Sequence, residues 1–407
     1  MPVECFVQVP LVTIDDYRWL SGPGAVYLAR AATHSGSLVT LAKSLRSELT
    51  AQQAHLVMAT GELRRRARDK FPRCDQMFFT RQLLEQATGA DMAAYKASCF
   101  TDCGTIADLC CGLGGDLLAL SGQTSCIAVD RDPLAVWLAE LNCRAHGRTD
   151  VIFHTADIDR FELPGVNAWH LDPDRRVAGR RTTRLEACRP GAEAISRLLK
   201  QCPHGAVKLA PATDELPRGW SEAQREWIGS RGECRQQIVW FGALARSPAQ
   251  RTSTLIDSDG GSYHFTGESS SEGAWTKQVR RLVFEPHSVV LAAGLSHTLA
   301  RCHDLARFSS SDGYWTGDRP IASKFVTMFE VEEVLPFDIK RIRAVLRARR
   351  LGRLEIKVRA RPLDLARLRR QLKVDGDGAA TLLIAGAKPH TVVVLAQRLA
   401  RESRVEN

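Results

Sequence analysis

Asp108-Leu-Cys-Cys-Gly112-Leu-Gly114-Gly115-Asp116 is the stretch whose reading decides the fold. Thr105-Ile-Ala107 leads into it as a short buried strand, and Leu117-Leu-Ala-Leu120 leaves it as the apolar opening of a helix. Glycine permits a tight turn and lets a ligand come close to the backbone, and the first turn of a helix has unpaired N–H groups. A strand, a glycine-rich turn and a helix in that order therefore make a nucleotide-binding loop. A dinucleotide fingerprint has glycine at its first, third and sixth positions. Counted from Gly112, the third position is Gly114 but the sixth is Leu117, so that pattern is incomplete.

Working outward, Cys126-Ile-Ala-Val129 is a second apolar run. It ends in Asp130, eighteen residues beyond Gly112, where a carboxylate can accept both ribose hydroxyls. Arg131 follows, and Asp132-Pro133 then starts a helix, with the aspartate as cap and the proline at the first position. Val151-Ile-Phe-His154, followed by Asp157 and Ile158, repeats the plan. Asn167 to Leu171 gives a fourth strand ending in Asp172-Pro173-Asp174-Arg175-Arg176. Gly205 to Pro211 reads as a fifth strand, Ser221 to Ile228 as a helix carrying Trp227, and Gln237 to Gly242 as a sixth strand. Thr252–Ile256 and Ser262–Phe265 read as a hairpin turning at Asp259-Gly260-Gly261.

The loop resembles motif I of the class I S-adenosylmethionine-dependent methyltransferases, which begins with an acid and ends in Gly-x-Gly. That resemblance implies a Rossmann-like α/β sheet and S-adenosylmethionine as cofactor. It implies that Asp108 binds the amino end of the methionine part, that Asp157 receives the adenine amino group, and that Ile158 stacks nearby. The cofactor-side set is then Asp108, Cys110, Gly112, Gly114, Gly115, Asp130, Arg131, Asp157 and Ile158. Cys110 departs from the pattern, standing where many members carry the first glycine. Asp172-Pro173 falls where motif IV belongs, at the strand tip nearest the transferred methyl. Methyl transfer needs an aligned acceptor and, in places, removal of its proton. Asp172, Pro173 and Arg175 are accordingly the catalytic candidates, with Arg175 and Arg176 also able to hold phosphate. Members that methylate exocyclic base amines commonly show an acid or Asn, then Pro-Pro and an aromatic residue; here Asp174 and Arg175 take the last two places, which argues against an adenine-N6 acceptor. A covalent pyrimidine mechanism would need a thiolate in a defined motif, and neither Cys188 nor Cys202-Pro203 supplies one.

A chain of 407 residues suggests two or three domains. No basic segment leads into a hydrophobic signal region, and no apolar run reaches membrane-spanning length. The 12 cysteines show no Cys-x-x-Cys pair and no metal-ligand spacing, so no metal is expected. Buried thiols in a reducing cytoplasm are the expectation. The formal charge of +10 is uneven. From Lys324 onward 19 Lys and Arg stand against 10 Asp and Glu, and within Lys340–Lys373 the tally is 14 against 2. Lys340, Arg341, Arg343, Arg347, Arg350 and Lys357 belong to this segment, whose density can neutralise several phosphates of a nucleic acid with salt-dependent affinity.

Residues 20–95 read as helical, with Thr50-Ala-Gln-Gln53 as a capping box and with Lys70 and Phe71 able to face a substrate. Lys208 is a lone strand lysine, a type more often structural or exposed than in contact with substrate. Beyond Gly267–Gly273, His287 to Arg301 reads as one helix, Phe325 to Leu335 as a strand, and Asp338 as the cap of a basic helix. Arg353–Arg359, Ala380–Ala385 and Thr391–Leu395 read as strands and Leu363–Leu372 as a helix. Lys70-Phe71, Phe79-Thr80-Arg81, Leu84 to Thr88, the 108–116 loop, Val129 to Pro133, His170 to Pro173, Val207 to Pro211, Val334 to Phe337 and Leu354 to Lys357 together resemble the bacterial class I methyltransferases with a C-terminal THUMP-like domain. The expected organisation is a helical region over 1–95, the methyltransferase domain over 96–268, a connecting segment over 269–323 and a small basic α/β THUMP-like domain over 324–400. The expected function is methylation of a base in structured RNA, tRNA or rRNA. Methylation of a small molecule or protein is one alternative, and a non-catalytic RNA-binding protein with a vestigial fold is another.

Overall fold

A computed structural model describes residues 12–177, 180–309, 313–359, 362–373, 375–386 and 390–399, with residues 176–177 and 180–181 described by backbone only. The chain forms two compact units. One runs to Leu209 and takes back Glu215–Pro217 and Trp240–Leu244. The other holds Ala210–Asp214, Arg218–Val239 and the chain from Ala245 onward.

The first unit opens with the helices Ile14–Ser21, Ala25–Thr33, Leu38–Arg46 and Ala51–Ala67. The expected capping box starts the last of these. Thr50 Oγ1 accepts from Gln53 N at 3.2 Å, and Gln53 Oε1 accepts from Thr50 N at 3.1 Å. Leu20, Leu41, Leu45, Leu56 and Val57 bury the inner faces of these helices against Phe71, Phe78 and Phe79, and Leu113 and Leu138 join the same core. Each such side chain contributes about 1.5–3 kcal/mol of burial. Lys70 and Phe71, expected to be able to face a substrate, are instead engaged in this helical layer. The Lys70 ammonium donates to the carbonyls of Leu84 at 2.6 Å and Ala87 at 3.0 Å, closing the end of the helix Arg81–Gln86, and the Phe71 ring is buried.

Five parallel strands follow, in the spatial order Gly205–Leu209, Ala168–Leu171, Ile106–Leu109, Cys126–Asp130 and Val151–Thr155. Ile106–Leu109 and Ala168–Leu171 are buried at every position, as strands covered on both faces must be. Asp132 caps the helix Pro133–Ala145 as expected, accepting from Leu134 N at 2.9 Å with Pro133 in the first turn. Chain order reverses across the first strand, which opens a crevice outside the carboxyl ends.

In the second unit the helix expected over Ser221–Ile228 is instead the strand Gln224–Ser230. It turns through Arg231 and Gly232, both at positive φ, into Glu233–Trp240, as a two-residue hairpin requires. Both faces of Gln224–Ser230 are buried, so its sequence shows no alternation. Glu226 survives burial on a hydrogen bond from Thr254, and Arg225 by donating to Thr213 O at 2.8 Å. The expected hairpin is present as Arg251–Ile256 and Ser262–Gly267, antiparallel to each other. A second sheet has seven strands, in the order Ala306–Arg307, Trp315–Gly317, Leu282–Pro286, Val326–Pro336, Val392–Arg398, Gly378–Ala385 and Leu351–Val358. The single helix expected over His287–Arg301 is two, Ser288–Ala292 and Ser296–Cys302, broken at Gly294, whose φ of +67° only glycine adopts without strain. The basic helix Ile339–Ala348, capped by Asp338, packs with Leu365–Leu372 over a core of Leu335, Ile342, Leu346, Leu368 and Leu372.

Candidate active site

The loop after Ile106–Leu109 is shaped by backbone that side chains rarely tolerate. Gly112 and Gly114 lie at φ +56° and +91°, and Cys110 lies at +60° with its β-carbon retained. A β-carbon at Gly115 would come within 3.0 Å of the Thr88 carbonyl, so that glycine permits close packing. Gly114 sits at the back of the loop, 3.6 Å by the same measure from Ala139. The other candidates, Asp108, Cys110, Gly112, Gly115, Asp130, Arg131, Asp157, Ile158, Asp172, Pro173 and Arg175, line one cavity at the carboxyl ends of the strands.

Asp130 is aimed by the loop it serves. Its Oδ2 accepts from Gly112 N at 2.9 Å and its Oδ1 from Asp132 N at 3.0 Å. Burial raises its pKa and those N–H groups only partly offset the shift. Each oxygen keeps a further lone-pair direction toward the cavity. Asp157 caps its own turn, accepting from Asp159 N at 3.0 Å. Ile158 is buried, and Arg197 holds the turn by donating to the carbonyls of Ile158 and, at 2.8 Å, Phe161.

Beneath the loop is a buried charged chain that sequence reasoning missed. His170 Nδ1 bonds Asp108 Oδ1 at 2.8 Å and its Nε2 faces the Lys96 ammonium at 3.2 Å, an arrangement the Nδ1–H tautomer satisfies on both sides. Lys96 pairs with Asp116 Oδ1 at 2.6 Å. Thr88 Oγ1 donates to Asp116 Oδ2 at 2.7 Å and accepts from Lys208 Nζ at 2.9 Å. Lys208 then reaches Asp172 Oδ2 at 2.5 Å. Desolvation alone would raise Asp116, but Lys96, His170 and Lys208 outweigh it and hold its pKa well below the usual carboxylate range. Desolvation lowers Lys96, which Asp116 only partly counters, and it raises Asp108 despite His170. Asp108 Oδ2 is buried with no hydrogen-bond partner among the described residues. An orphaned, buried carboxylate oxygen fits a ligand that brings an amino group.

On the opposite wall, Asp174 exchanges backbone hydrogen bonds with Arg189, at 2.8 and 3.0 Å, and its carboxylate lies 3.5 Å from Arg131. The bridge brings Arg189 to the cavity beside Arg175, and neither guanidinium is ion-paired among the described residues. Cys110 and Cys111 also face the cavity, but burial pushes both thiols well above their usual pKa, so neither is a poised nucleophile. Among the described residues no cluster of His, Cys, Asp and Glu could hold a metal ion, and no helix is long and apolar enough to cross a membrane.

The C-terminal candidates separate into two groups. Lys340, Arg341 and Arg347 are exposed on the helix Ile339–Ala348 and unpaired among the described residues, while Arg343 is half-buried there. Arg367 and Arg370, on the helix packed beside it, are likewise exposed and unpaired. Arg350 lies 3.7 Å from Asp377, and Lys357 is committed to the buried Glu285 at 2.7 Å. Arg349, within the basic run, is held by Glu332 and Glu333.

A parallel sheet with acids at its carboxyl ends and a cavity lined by a glycine loop defines a Rossmann-like nucleotide-cofactor enzyme. Residues 326–398 match the THUMP domain-like family. An S-adenosylmethionine-dependent methyltransferase of Mycobacterium tuberculosis, itself uncharacterized, is 30% identical over 360 residues, covering 83% of this chain and 95% of its own. A crystal structure of a methyltransferase candidate from Porphyromonas gingivalis W83 has the same fold, with TM-score 0.75 at 21% identity, covering 96% of this chain and 100% of that one. The chain belongs to the S-adenosylmethionine-dependent methyltransferases and carries a THUMP-like domain at its C-terminal end.

Proposed function

We propose that this methyltransferase modifies a base in structured RNA, a tRNA or an rRNA. The observation that carries the reading is the set of exposed, unpaired cations on two packed helices within the THUMP-like segment. Paired surface charges would be self-satisfied, whereas these five await an external anion. S-adenosylmethionine, when bound, supplies an electrophilic methyl. Asp108 Oδ2 takes the amino end of the donor, Asp130 the ribose hydroxyls and Asp157 the adenine amino group, with Ile158 against the ring. Gly112, Gly114, Gly115 and Cys110 shape the loop around it, and Arg131, next to Asp130, borders the donor. Asp172 and Pro173 orient the acceptor, and Arg175, with Arg189 beside it, takes a neighbouring phosphate. Lys340, Arg341, Arg343 and Arg347 hold the RNA, with Arg350 and Lys357 secondary because acids already engage them.

The test is nucleoside mass spectrometry of RNA from cells with and without the gene. A modified nucleoside missing from the deletion strain names base and atom together; an unchanged nucleoside profile removes RNA as the substrate.

A further inference from the structure

Asp172 is clamped by Lys208, which with Thr88 lines the same cavity, and the clamp leads back toward Asp108. Lys208 lies on Gly205–Leu209, whose Val207 pairs with Leu171, so its side chain rises beside the residue that follows that strand. It takes Asp172 Oδ2 at 2.5 Å and is seated by Thr88 Oγ1 at 2.9 Å. Thr88 in turn donates to Asp116, which Lys96 and His170 tie to Asp108. A continuous chain of polar contacts thus runs between the acid assigned to the donor and the acid assigned to the acceptor.

We infer that Lys208, seated by Thr88, is a positioning residue that aims Asp172 at the acceptor. The inference rests on the proposed acceptor-side role of Asp172. With Oδ2 held, the carboxylate plane is fixed and Oδ1 remains for the cavity that Asp172 lines. Oδ1 accepts a hydrogen bond, so the acceptor presents an N–H or O–H at or beside the atom that is methylated. A carboxylate fixed beforehand spends no binding energy on being ordered. Displacement by about 1 Å at such a group lowers turnover on the order of 100-fold.

The full chain is assayed with methyl-labelled S-adenosylmethionine and soluble extract from cells lacking the gene, with label counted separately in RNA, protein and small molecules. Lys208→Met is expected to lower kcat by ~30–100-fold while donor affinity by calorimetry stays within about threefold, a change below ~0.7 kcal/mol. Lys208→Arg should restore most of the rate. Thr88→Val should lose about tenfold, a change of ~1.4 kcal/mol, and Thr88→Ser should retain wild-type turnover. An unchanged kcat in Lys208→Met overturns the inference, as does loss of donor binding in that variant. So does an arginine variant no better than methionine. Asp172→Asn separates the two levels. If it keeps the wild-type rate, the acceptor-side role of Asp172 fails and the inference with it; if it loses the rate while Lys208→Met does not, only the inference fails. Label appearing outside RNA overturns the RNA reading and leaves the Lys208 result intact.

Discussion

The two charged regions of this protein use the same residue types in opposite ways. Around the donor cavity, Lys96, Lys208, Asp108, Asp116 and Asp172 are buried or nearly so, and each has a named partner within hydrogen-bond distance. On the C-terminal helices, Lys340, Arg341, Arg347, Arg367 and Arg370 are exposed and unpaired among the described residues. Buried charges are costly to strand, so they fix geometry; exposed charges cost little and are screened by salt, so they supply affinity without register. In the proposed function, the first region would orient the reacting groups and the second would bind the phosphates of the RNA.

That contrast breaks most visibly at Lys96. Lys96→Met leaves Asp116 buried without its cation and should cost about 3–5 kcal/mol, read as a fall in the thermal midpoint. A loss close to that of an exposed arginine would erase the distinction. The same pair predicts a pH dependence. Because Asp116 is depressed in the folded protein below its ordinary 3.8, its contribution is fully present above that pH and is lost as the pH falls further. Asp116→Asn should flatten that acid-side decline. Asp108→Asn should weaken donor binding by about 10–100-fold, the ~1.5–3 kcal/mol of a charge-assisted hydrogen bond, by calorimetry. Asp130→Ala should weaken it at least about tenfold, ~1.4 kcal/mol; unchanged affinity would remove Asp130 from the donor site. The smallest effects belong to the exposed cations. Alanine at Arg341, Arg347 or Arg370 should each lower the salt slope of RNA binding by about 1 and leave donor affinity as it was.

The site's loop and acids were legible because their signals are local. The Asp108–Asp116 glycine pattern, the capped Asp132-Pro133 start and the acids at strand tips each sit within one short stretch. Lys96, Thr88 and His170 carry no such signal. His170 lies 74 residues from Lys96 in the chain; the parallel register sets Asp108 beside His170, and the packing of the preceding helical segment brings Lys96 and Thr88 to them. Lys208 read as an ordinary strand lysine because its meaning lies in Asp172, on a neighbouring strand. The strand Gln224–Ser230 misread for a related reason. Ala223, Trp227 and Ile228 fall at helical spacing, and burial of both faces removes the alternation that marks a strand. The break at Gly294 was hidden because Val289 to Ala293 and Leu295 to Ala300 keep an apolar pattern across it.

Cys110 holds a left-handed backbone that costs an L-residue about 1–2 kcal/mol, where glycine would sit without strain. The chain thus forgoes stability at a loop position that lines the cavity. Replacing it with glycine should give a more heat-resistant protein with a roomier cavity, and so a less selective fit for analogues bulked at that wall.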